Sequence, residues 1–119
     1  MKKGGMEVLT LTIKKKWYDM ILSGEKKEEY RDIKKYYEKR FQTIFGCGYM
    51  SGLKKECPKE TIRFRNGYRE DSPSFVAECT LKTGEGRQEW GAEKGKKYFI
   101  IEIHRVFTGF NEGNDCDFY

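Results

Sequence analysis

Residues 98–107 read Tyr98-Phe99-Ile100-Ile101-Glu102-Ile103-His104-Arg105-Val106-Phe107, and this stretch decides the fold. It is β-branched and aromatic throughout, the composition of a strand. Its apolar side chains fall on both alternating faces, as they do where a strand is covered on both sides. A central strand in a closed or covered sheet follows. Upstream, residues 74–81 alternate, with Phe75, Ala77, Cys79 and Leu81 on one face and Val76, Glu78 and Thr80 on the other. Residues 61–65 alternate as well, Ile62 and Phe64 inward and Thr61, Arg63 and Arg65 outward, and the turn Asn66-Gly67-Tyr68 follows them.

The N-terminal half switches period. Residues 9–13 (Leu-Thr-Leu-Thr-Ile) alternate as a strand with one buried face. Ile13, Trp17, Met20 and Ile21 then recur at helical spacing, and Gly24 stands where a left-handed cap ends a helix. At that spacing Trp17 reads as core rather than as a stacking platform. Residues 27–31 read as extended. Ile33, Tyr36, Tyr37, Arg40, Phe41 and Ile44 give a second amphipathic helix over residues 33–45, with Asp32 as its N-cap. Glycines and Pro58 make residues 46–59 a mobile surface loop, and residues 82–96 read as a glycine-rich loop or short helical turn anchored by Trp90. The order strand, helix, strand, helix, strand, strand, strand has too few late helices for a parallel α/β fold. It predicts an α+β domain: a small curled sheet or barrel of about five to six strands with two flanking helices on one side.

The chain has 119 residues, enough for one domain. Hydrophobic residues make up only 37% and charged residues 36%, but aromatics reach 15%, so the core should be built largely from rings. Residues 1–5 read as a disordered or tag-like start and residues 111–119 as a loose acidic tail. No apolar run suits a membrane span or a signal peptide, which predicts a cytoplasmic protein with no membrane partner. Cys47, Cys57, Cys79 and Cys116 lack metal-site spacing and read as free thiols, Cys79 in the core; His104 stands alone. No metal or organic cofactor is implied.

The formal charge is +5, and it is unevenly placed: residues 1–55 carry 14 bases and 7 acids, residues 56–119 carry 10 and 12. A basic first half attracts polyanions, nucleic acid foremost. Lys14, Lys15, Lys16, Lys34, Lys35, Lys39 and Arg40 are interleaved with aromatic residues, as on nucleic-acid surfaces and also on ordinary solvated helices.

One cluster suggests chemistry: Gly24-Glu25-Lys26-Lys27-Glu28-Glu29-Tyr30-Arg31. In an extended segment Glu29 and Arg31 share a side, and Lys26 can swing toward them from the turn, so an ammonium, a carboxylate and a guanidinium could line one pocket. Such a trio can hydrogen-bond a planar polar ligand, grip phosphate through Arg31, or supply a lysine as a base. A charged octet is also ordinary solvated surface.

The pattern Gly-x-Lys-x-x-Glu-x-Arg, filled by Gly24, Lys26, Glu29 and Arg31, resembles the signature of the ASCH family, small PUA-like β-barrels. It follows a strand and a tryptophan-containing helix, as in that family. The strand 61–65 with its turn, the Glu89-Trp90-Gly91 loop and the final strand extend the likeness over most of residues 6–107. The resemblance implies a barrel over residues 6–110 with a cleft that binds RNA or a nucleoside or nucleotide. Some small bacterial members are amidohydrolases that release cytidine from N4-acetylcytidine through a lysine and a threonine of the motif and a glutamate elsewhere. Lys26 matches the lysine; Glu29 stands in the threonine's place, so Lys26 and Glu29 are the candidate acid/base pair of an enzyme, with Glu78 or Glu89 as a further acid. The candidate ligand-binding set is Gly24, Lys26, Glu29, Arg31, Arg63, Tyr68, Glu78 and Trp90. For Trp90, stacking on a base and packing are both open. A monomer is expected, and a module that binds an acidic protein is the third reading.

Overall fold

The computed structural model describes residues 8–53 and 55–107; the readings for residues 1–5 and 111–119 lie outside it. The chain runs β1 (Leu9–Thr12), α1 (Lys15–Leu22), β2 (Glu28–Asp32), α2 (Lys35–Phe45), α3 (Cys47–Met50), β3 (Glu60–Arg65), β4 (Ser74–Glu85), a 3-10 turn (Gln88–Trp90) and β5 (Lys97–Phe107). The five strands form one curled sheet in the order β1-β3-β4-β5-β2, so the architecture is α+β with a half-barrel sheet. Only the β1–β3 pairing is parallel. No helix among the described residues is long and apolar enough to cross a membrane.

Both faces of β5 are covered, as its sequence requires. Phe99 and Ile101 join Ile62, Phe64, Phe75, Ala77, Cys79 and Leu81 in the main core, which Ile21 of α1 and Phe41 and Phe45 of α2 close from one side. Tyr98 and Ile100 face the other way and pack with Tyr30, Ala92 and the half-buried Trp90. The segment after β4 therefore acts as a second covering layer. Between Glu78 and Cys79 the β4–β5 register skips His104, a bulge that bends the ribbon. It also returns Val106 to the core side, in register with Ala77.

Three expectations are corrected. Asp32 does not cap α2: it is the last residue of β2 and pairs with Lys96 at 3.1 Å, while Lys34 precedes the helix with no side-chain cap. The buried stripe of α2 is rotated toward Phe41 and Phe45, leaving Ile33 and Tyr36 exposed, because the helix starts two residues later than the apolar pattern. Residues 46–59 are more than a surface loop. Beyond Cys79, β4 has lost its β3 partner, and Leu81 would expose both backbone groups on that edge. The Tyr49 hydroxyl donates to the Leu81 carbonyl at 2.5 Å, and the Leu81 N–H donates to Cys57 Sγ at 3.2 Å, which seals the edge.

Phe41 is fully buried and packs edge-on to Phe99 at 5.1 Å between ring centres. Phe41→Ala should lower the unfolding free energy by about 3–5 kcal/mol, read from urea denaturation. A loss below about 1 kcal/mol would mean that α2 is not part of the core.

Candidate functional site

The motif becomes a site because of where α1 stops. Gly24 follows the last turn at φ +89° and donates to the Ile21 carbonyl, and the Lys26 N–H then returns to Met20 O at 2.9 Å. Only glycine takes that conformation cheaply. The reversal turns the Lys26 side chain inward, where it is 1% exposed. Its ammonium donates to the Trp90 carbonyl at 2.6 Å, lies 3.3 Å from Glu29 Oε1, and sits 4.8 Å and 4.9 Å from the ring centres of Trp17 and Tyr30. A carbonyl, a carboxylate and two aromatic faces replace its water.

Glu29, 5% exposed, is held from the other side by Arg31, whose Nη1 pairs with Oε2. The guanidinium also donates to Tyr30 O at 3.0 Å and to Thr12 O at 2.9 Å. Thr12 lies on β1 and Arg31 on β2, the two edges of the sheet, so this side chain bridges the seam of the half-barrel. Burial pushes Lys26 below the ordinary lysine value of 10.5, and Glu29 pulls it only part of the way back. Burial likewise raises the Tyr30 phenol, whose hydroxyl donates to Glu28 and accepts from the Arg87 N–H.

Above Glu29 lies a cleft of about 260 Å³ lined by Thr12, Ile13, Lys14, Trp17, Glu29, Tyr30, Arg31, Trp90, Gly91 and Tyr98. Rings form its walls and the Glu29 carboxylate contributes to its lining. Lys26 is not among the lining residues; it stands behind Glu29. Gly91 has φ +104°, and a Cβ there would come within 3.0 Å of the Trp17 ring, so the tryptophan loop rests directly on α1.

The structure thus brings together Lys26, Glu29, Arg31 and Trp90, with Gly24 directing the turn. It places the other candidates elsewhere. Arg63 lies on the sheet face opposite Ile62 and Phe64 and donates to Ser74 Oγ at 3.3 Å. Tyr68 is 87% exposed in the β3–β4 turn. Glu78 pairs with Arg105, whereas Glu29 pairs with Ile101, four positions back along β5. Glu89 is exposed and pairs with Arg87. Trp17, read from spacing as core, is half-buried and walls the cleft. Tyr98 and the Thr12 carbonyl were not anticipated: the two-faced pattern of β5 hinted at the first, while no sequence signal marks a carbonyl that meets a guanidinium nineteen residues away. Among the described residues no group of three or more acidic, histidine or cysteine side chains is arranged to hold a metal. Compared with family models, curated proteins and solved structures, the chain matches none.

With its folded value below 10.5, Lys26 binds its proton less tightly than in the unfolded chain. In the window between the two values the unfolded state carries more protons, so this residue's contribution to stability rises with pH. The stability of the wild type relative to Lys26→Met should therefore climb as pH increases toward 10.5, read from urea midpoints. A flat or falling difference would contradict the assignment.

Proposed function

We propose that this chain is an ASCH-type protein with a PUA-like fold that recognises RNA or a nucleoside, one base entering the cleft over Glu29. The observation that carries this reading is a buried carboxylate, held between Lys26 and Arg31, in an aromatic-walled cleft. An ionised carboxylate only accepts hydrogen bonds, so it suits the amino or imino edge of a base, and the flanking rings suit its faces. At about 260 Å³ the space lies below the roughly 300–1,000 Å³ of drug-sized sites and fits one base rather than a larger ligand. Lys14 lines the same cleft and Lys16 lies 4.8 Å over the Trp17 ring, so cations flank the mouth for ribose-linked phosphate.

The test is a titration with the four nucleoside monophosphates and a short single-stranded RNA, followed by tryptophan fluorescence. Saturable quenching is expected, weakened about ten- to a hundredfold in Glu29→Gln, the loss of a charge-assisted hydrogen bond. RNA binding should also fall steeply with salt, while a nucleoside bound through its base alone should be salt-tolerant. No saturable change with any of these ligands at millimolar concentration would overturn the reading.

A second reading, an amidohydrolase of an acylated pyrimidine nucleoside, draws support from the lowered Lys26 beside Glu29, a pair suited to proton transfer. Water would add to the acyl carbon, Glu29 would take its proton, and the amine would leave with a proton returned by the pair. Incubation with N4-acetylcytidine should then release cytidine and acetate in the wild type and not in Lys26→Ala. Absence of cytidine at high protein concentration would discard this reading and leave the binding reading intact.

A further inference from the structure

A larger groove lies away from the Glu29 cleft, about 790 Å³, between the outer edge of β1 and the outer side of α2. Val8, Leu9 and Thr10 line one wall, and Tyr36, Lys39 and Arg40 line the other. Among the described residues β1 pairs with β3 alone. The Ile13 N–H bonds to Arg65 of the β3 side, so by the alternation of a strand the backbone groups of Leu9 and Leu11 point toward β3 and those of Thr10 and Thr12 point away. Thr12 agrees, since its carbonyl receives Arg31 from outside the sheet. Thr10 therefore turns an N–H and a C=O into the groove, a free strand edge.

The groove is apolar on the strand side and cationic on the helix side, where Arg40 lies 4.3 Å over the Tyr36 ring. An extended segment that carries acids and aromatics would satisfy both walls and the edge. This chain contains one: residues 111–119 hold Glu112, Asp115, Asp117, Phe118 and Tyr119 and no base. The topology also brings it within reach. Phe107 pairs with Val76, Val76 with Arg63, and Arg63 with Thr10, so β5 ends in the same row of the sheet as Thr10. Three strand spacings of roughly 4.8 Å separate them, about 15 Å. Twelve residues follow Phe107, and at roughly 3.3 Å each they span up to about 40 Å. The opposite end of the chain is a poorer match for a cationic wall, because Lys2 and Lys3 precede Val8.

We propose that residues 111–119 of this chain add to the outer edge of β1 in this groove, their carboxylates against Lys39 and Arg40. The contact covers an open edge and places acidic residues beside the basic first half of the chain, where they compete with other polyanions.

The test uses the full chain and a variant with Glu112→Lys, Asp115→Lys and Asp117→Lys, which leaves every described residue unchanged. Hydrogen exchange at the Thr10 amide, followed by NMR, should be about tenfold faster in the variant. Adding Lys39→Glu and Arg40→Glu to the variant should restore the slow rate. The wild-type rate should not depend on protein concentration. Equal exchange in wild type and variant would overturn the proposal. Protection that grows with protein concentration would overturn it in favour of a second copy, and protection that appears only with added RNA would overturn it in favour of nucleic acid.

Discussion

The guanidinium of Arg31 reaches from one edge strand of the sheet to the other, and the site depends on that reach. A five-stranded sheet curled into a half-barrel leaves a seam between β1 and β2. Arg31 crosses it to the Thr12 carbonyl while pairing with Glu29, and Glu29 in turn faces the Lys26 ammonium. Two cations and one carboxylate out of water are costly unless each finds partners, and here backbone carbonyls of Thr12, Tyr30 and Trp90 and the rings of Trp17 and Tyr30 supply them. The trio carries one net positive charge. The same contacts that satisfy the charges join β1, β2, α1 and the tryptophan loop, so the fold is tied together where the cleft opens.

This arrangement divides the motif by role. Lys26 is enclosed and acts through Glu29, which it orients from behind; Arg31 fixes the same carboxylate and the seam; Glu29 alone of the three is both nearly buried and a lining group with acceptor capacity. Trp90 contributes twice, with its carbonyl to Lys26 and its ring to the wall and the second core. A binding pocket for a flat polar group needs these elements: an oriented acceptor, apolar walls and a cationic rim.

Much of the fold was legible. Alternation in residues 61–65 and 74–81 gave the strands and their inward faces, and the two-faced pattern of residues 98–107 gave a sheet covered on both sides. The His104 bulge was legible too, since Ile103 and Val106 are both packed on the core yet stand an odd number of positions apart. Within the site, the octet identified Lys26, Glu29 and Arg31 because extended spacing puts the latter two on one side. What was not legible depends on tertiary contact. Asp32 has the right chemistry for a cap but is held in β2 by pairing with Tyr98. Tyr49 and Cys57 looked like loop residues because nothing local reveals that β4 outruns β3. Trp17 follows the helical stripe yet faces the cleft, because Gly91 packs against its ring.

The two tryptophans of the chain both wall the cleft, so their two indole N–H signals form a direct probe of it. The most direct measurement is an NMR titration with a nucleoside monophosphate, following these signals beside the backbone amides of α2. If a base enters over Glu29, both indole signals shift together and saturate while the α2 amides stay still. Shifts confined to the α2 amides, with both indoles unmoved, would contradict the central claim and assign the affinity to the basic helix surface instead.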